Sequence, residues 1–149
     1  MTAPNRLAQL DRSLAVLTKA YLDGTLRHGD CAACAVGNLV AAAMSLPVSK
    51  ERFGPAEHGD WFFLVAGLPG MLNDPDRLRA ATAQIAATGY EVEELERIES
   101  AFEVNSGDAT GYAGLLRVCD VLLEIHGVAD GDPRRAAFAA SLKPEEVPA

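Results

Sequence analysis

Two cysteines, Cys31 and Cys34, stand three positions apart in the stretch Leu26-Arg27-His28-Gly29-Asp30-Cys31-Ala32-Ala33-Cys34. On the first turn of a helix that spacing puts both thiols on one face, where they reach a common point. Unpaired backbone amides and the helix dipole favour the thiolate there, which suits redox exchange or metal binding, while the charge of Asp30 opposes it. His28 lies three residues before Cys31, and Gly29 gives the chain freedom to bring its imidazole to the same point. That makes three of the four ligands that a structural zinc site needs. Cys119 and His126 are the candidates for a fourth. They are separated by about 10.5 Å of axial rise on one helix, so a single site would hardly use both. Zinc or iron would suit this set. The chain has no second CxxC, and nothing in the sequence requires a cofactor.

The plainer reading of the same cysteines is structural, because unpaired cysteine is among the most buried residue types and both lie in an alanine-rich apolar stretch. It ranks first, with redox use second and metal binding third. A CxxC at the start of a helix in an all-α chain resembles the alkyl hydroperoxidase D and carboxymuconolactone decarboxylase superfamily, which implies thiol redox chemistry. The resemblance covers the tetrapeptide Cys31-Ala-Ala-Cys34 and its helical setting. In that superfamily a histidine follows four residues later, and Asn38 holds the place here, with no matching relay glutamate just upstream. The sequence is assigned to no family on this ground.

A second constellation lies on the apolar helix expected from Tyr112 to His126. Asp120 and Glu124 are one turn apart with His126 nearby, a pattern that binds a cation or performs acid–base work if the face lines a pocket. A solvated strip with Arg117 as a pairing partner is the more ordinary reading. Glu91, Glu93, Glu94, Glu96, Glu99 and Glu103 form an acidic face on the preceding helix, with Arg97 placed to pair with Glu93. Such a face is usually solvated; its functional reading is a dock for a basic protein partner. His58 and Trp61 flank Asp60 beside a long loop where a contact can sit, although Trp61, Phe62 and Phe63 read first as core.

These residues must be positioned by helices. Leu7, Leu10, Leu14, Leu17 and Tyr21 recur at steps of three and four, the stripe of an amphipathic helix that Gly24 ends. Asp30 is placed to cap a helix from Cys31 to Ser45, stopped by Pro47. Asp60 opens a short run over 61–67, read as helix, and Asp74-Pro75 starts another with Leu78, Ala81 and Ile85 on one side. Val92, Leu95, Ile98 and Phe102 make the buried stripe of the acidic helix. The helix over 112–126, closed by Gly127, is the most apolar and is expected at the centre. Asp132-Pro133 begins a last short helix. The fold class expected is all-α, a single domain over residues 1–142 built as a bundle or orthogonal array of five to seven helices, with residues 143–149 as a frayed tail.

Composition narrows the function classes. The chain has 149 residues, a formal net charge of −8 and 49% hydrophobic residues. That length and balance suit one globular core. The acidic charge gives phosphate backbones and anionic lipid little to hold, so neither nucleic acid nor a membrane is an expected partner. No apolar run approaches the roughly 18 residues of a spanning helix, and three cysteines are an odd number for a disulfide framework. The amino-terminal stretch lacks the layout of a secretory signal, so the expected location is the cytoplasm. No phosphate loop, dinucleotide fingerprint, GxSxG elbow, HExxH or calcium loop is present. Two functions compete: an interaction or regulatory module with an acidic surface, ranked first, and a thiol-redox or metal-binding protein using residues 28–34.

Overall fold

A computed structural model describes residues 3–26, 34–45, 59–104 and 111–142, and within them the chain is all-helical. The helices are α1 (Ala3–Asp23), α2 (Ala35–Ala43), α3 (Trp61–Val65), α4 (Pro75–Thr88), α5 (Val92–Glu103), α6 (Tyr112–Ile125) and α7 (Pro133–Leu142), with one 3-10 turn at Pro69–Met71. The expected bundle of five to seven helices is borne out. Among the described residues no helix is long and apolar enough to cross a membrane.

Local chemistry sets most of the helix ends. The Asp74 carboxylate accepts the Asp76 amide at 2.8 Å before Pro75 begins α4, and Asp132 does the same for Arg134 at 2.9 Å ahead of Pro133. Glu94 reaches back to the Glu91 amide at 2.9 Å to open α5. Each carboxylate satisfies an N–H at the start of a helix that has no partner inside it. α4 closes on Gly89 at φ +77°, where a Cβ would also stand 2.6 Å from Gln9 Nε2. Glycine fits that left-handed position without the penalty other residues carry.

One core joins the helices. Leu10, Leu14 and Leu17 of α1, Leu95, Ile98 and Phe102 of α5, and Leu115 and Leu122 of α6 are all buried, as their stripes require. Ile125, Tyr21 and Val92 pack against that core only partly buried, and Leu7 and Leu78 are exposed. The enclosed helix is α2 rather than α6: every residue from Ala35 to Ala41 is buried, and α2 packs against α1, α4 and α5. Small side chains at Ala35, Gly37 and Ala41 let neighbours approach from all sides. α6 turns Asp120 and Glu124 outward instead and makes its most extensive contact with α5.

Several expected local interactions take other partners. Asp60 makes no capping bond to α3 and instead accepts from Arg77 at 2.9 Å. Arg97 pairs with Glu124 of α6 at 3.0 Å, across the helix pair, rather than with Glu93. Arg117 donates to the carbonyls of Ala101 at 2.8 Å and Val104 at 2.6 Å, closing the end of α5. A planar guanidinium reaches two final-turn carbonyls that lack helical partners, which a carboxylate on its own helix does not offer.

Candidate functional site: a thiol facing a carboxylate

α2 begins at Ala35, so Cys34 is its N-cap residue rather than a member of the first turn. The expected start at Cys31 and its cap Asp30 are not the described ones; Asp30, His28, Cys31 and His58 lie outside the described residues. Cys34 has extended backbone angles, and its Sγ accepts the Gly37 amide at 3.2 Å. Sulfur thus does the capping work usually given to a serine or aspartate oxygen.

The same sulfur donates its proton to Glu99 Oε2 at 3.2 Å, a contact spanning 65 residues of sequence. α5 packs against α2, and this brings the carboxylate onto the thiol. Leu95 and Phe102 are buried one turn on either side of Glu99, which places that residue at the margin of the apolar stripe. Glu91, Glu93 and Glu96 are exposed, as a solvated face demands, whereas Glu94, Glu99 and Glu103 are half-buried. The six glutamates are therefore two groups with different surroundings.

Burial governs the proton affinities. Loss of solvent pushes the Glu99 carboxyl up to about 7, against the lowering effect of the thiol hydrogen bond and with added repulsion from Glu103. Burial first, then the charge of Glu99, raises the Cys34 thiol well above its ordinary range, and the Gly37 amide only partly offsets this. The expectation of a thiolate favoured by the helix terminus is thus reversed: desolvation and a neighbouring anion outweigh one amide dipole. At neutral pH the thiol keeps its proton while the carboxylate beside it is close to half-protonated.

Asn38 holds the backbone of this pair. Its Nδ2 donates to the carbonyls of Thr25 at 3.1 Å and Cys34 at 3.0 Å, and Thr25 Oγ1 donates to its Oδ1 at 3.4 Å. The side chain is 5% exposed. A buried amide with its donors engaged ties the end of α1 to the start of α2.

The remaining candidates are dispersed. Cys119 is buried in the core, where loss of solvent raises its thiol to about 11. Asp120 accepts from Arg135 at 2.8 Å and Glu124 from Arg97, both on the surface. His126 Nε2 bonds Tyr90 Oη at 2.9 Å, and Tyr90 Oη bonds Ser13 Oγ at 2.8 Å. Among the described residues no group of three or more His, Cys, Asp or Glu side chains is arranged to hold a metal ion. The sequence offers Glu99 only as one of six glutamates on an acidic face and His126 only as a metal ligand or acid–base partner, and it singles out neither Ser13 nor Tyr90. The signal for Glu99 is its spacing, four residues after Leu95 and three before Phe102. The chain matches no protein-family model, no curated protein and no solved structure.

Proposed function

We propose that the protein is a dithiol–disulfide exchange protein in which Cys34 is the resolving thiol and Glu99 its proton acceptor. The observation that carries this reading is the partly buried hydrogen bond from Cys34 Sγ to the Glu99 carboxylate. Cys34 has no exposed surface, so a bulky disulfide cannot reach it directly, and the attack falls to Cys31, three residues earlier in the sequence. A carboxylate titrating near neutrality is matched to taking a proton from such a thiol at the moment it attacks.

The exchange balances as two steps. The Cys31 thiolate attacks one sulfur of an outside disulfide, the S–S bond breaks, and the first thiol leaves with a proton from solvent. A mixed disulfide remains on Cys31. Cys34 Sγ then attacks the Cys31 sulfur while its proton passes to Glu99, and the second thiol leaves, protonated from Glu99 or water. Two protein thiols are oxidised to one disulfide and one outside disulfide is reduced to two thiols, a two-electron exchange.

The test is mass spectrometry of the reduced protein after mixing with glutathione disulfide. A Cys31–Cys34 bond is the expected product, and a Cys34→Ser variant should accumulate a mixed disulfide at Cys31. Glu99→Gln should form the same bond with a slower second step and no rate inflection near pH 7. Formation of separate mixed disulfides on both cysteines, with no bond between them, refutes the proposal.

A second reading rests on Glu91, Glu93 and Glu96, whose exposure leaves a patch of negative charge on α5 for a basic protein partner. Retention of a partner from a host lysate at low salt and its loss at moderate salt supports it; retention at neither removes it.

A further inference from the structure

Every Lys and Arg side chain among the described residues but one is engaged. Arg6 donates to the Ile125 carbonyl, Arg117 closes α5, and Lys19, Arg77, Arg79, Arg97, Arg134 and Arg135 pair with carboxylates. Arg12 makes no hydrogen bond or ion pair with the described residues and is exposed. In a chain of net charge −8, an exposed arginine with neither a carboxylate nor a carbonyl for partner among the described residues is the exception.

Arg12 stands over a cavity of about 290 Å³ between α1 and the carboxyl-terminal ends of α2 and α4, a volume at the lower end for small-molecule sites. Val16, Leu39 and Ala43 supply apolar wall, and Ser13 and Tyr90 line it as well. Ser13 and Tyr90 are both 4% exposed. Behind them runs the chain Ser13 Oγ, Tyr90 Oη, His126 Nε2 at 2.8 and 2.9 Å.

This chain can run in two directions. If Tyr90 donates to an unprotonated His126 Nε2, Ser13 donates to Tyr90 and has no proton left for the cavity. If His126 Nε2–H donates to Tyr90, then Tyr90 donates to Ser13, and the Ser13 hydroxyl proton is available to a guest. Burial lowers the His126 imidazole below its ordinary range, which favours the neutral ring at neutral pH, and a change of tautomer reverses the chain without net gain of a proton. A guest that accepts hydrogen bonds selects the second direction.

We infer that the cavity binds a small organic monocarboxylate, its carboxylate held by the Arg12 guanidinium and the Ser13 hydroxyl and its apolar body against Val16 and Leu39. The carbonyl ends of α2 and α4 also border the space and repel an anion, which confines the carboxylate to the Arg12 side. They favour a donor such as a hydroxyl at the far end of the guest. The cavity lies at the opposite end of α2 from Cys34, so its occupancy and the thiol chemistry are separable.

The probe is 4-hydroxybenzoate, titrated into the full chain and followed by two-dimensional amide NMR, with 4-hydroxybenzamide as the uncharged control. The acid should shift the resonances of Ser13, Val16, Leu39 and Tyr90, and the amide should bind roughly 10- to 100-fold more weakly, as expected for loss of a charge-assisted hydrogen bond. Arg12→Gln, at an exposed position without a partner, should weaken the acid by a similar factor and leave the amide unchanged. The ¹⁵N shifts of His126 should move toward the Nε2–H tautomer as the acid binds. Equal binding of acid and amide, unchanged affinity in Arg12→Gln, shifts confined to other surfaces, or no shift at millimolar acid each overturns the inference.

Discussion

Replacing Glu99 by glutamine isolates the cost of keeping a carboxylate beside a buried thiol. The carboxyl titrates at about 7 in the folded chain against 4.5 for the ordinary group. A carboxyl raised by folding binds its proton more tightly in the native state. Its contribution to stability is therefore complete below about pH 4.5, falls as pH rises, and is lost once pH passes about 7. At about 1.4 kcal/mol per unit, the span sets a ceiling of about 3 kcal/mol on the loss. Glutamine keeps the shape and an oxygen to accept from Cys34 Sγ, but carries no charge. The difference in unfolding free energy between Glu99→Gln and wild type should be near zero at pH 4.5 and grow through pH 7 in favour of the variant, toward that ceiling. Urea unfolding under reducing conditions at several pH values measures it, and subtracting the two curves cancels the other titrating groups. Parallel curves from pH 4.5 to 8 would refute the reasoning, because the carboxylate would then be solvated in the folded chain.

Tyr90→Phe removes the hydroxyl that bridges Ser13 and His126, and it should cost about 1–3 kcal/mol in urea unfolding, since a buried hydroxyl and a half-buried imidazole lose their partner. Arg117→Ala should destabilise by about 1–2 kcal/mol and increase amide exchange in the last turn of α5, because the Ala101 and Val104 carbonyls lose their donor. Gly89→Ala should lower stability by about 1–2 kcal/mol, read as a lower melting temperature, from the left-handed backbone at φ +77° and the collision with Gln9 Nε2. Cys119 has 0% exposure and a thiol raised to about 11, so iodoacetamide at pH 8 should modify it only after denaturant is added, as peptide mass mapping would report.

Arg97 joins Glu124 and Arg117 closes α5, both across the contact between α5 and α6. These polar links flank the buried stripe of Leu95, Ile98 and Phe102. The Cys34 contact lies on another side of the same helix, toward α2. α5 thus serves as a common wall for the core, the thiol pair and the surface charge.

Local sequence determined where most helices lie and how they end. Apolar steps of three and four mark α1, α5 and α6 because a helix brings such residues to one side, and the Asp-Pro starts of α4 and α7 and the glycine after α4 act through backbone groups within a turn of themselves. The burial of Leu10, Leu17, Leu95 and Phe102 follows from the same periodicity. What the periodicity could not convey is which helix is enclosed: α6 has the larger apolar side chains, yet α2 occupies the centre because its small residues admit three neighbours. The thiol pair is likewise a product of tertiary packing. Cys34 stood out through its spacing from Cys31, but Glu99 was one of six similar glutamates until the meeting of α2 and α5 buried it and set it 3.2 Å from the sulfur. Desolvation depends on every element around a group, whereas helix propensity and capping depend on the few residues beside it, so the helices could be read locally and the proton affinities at the site could not.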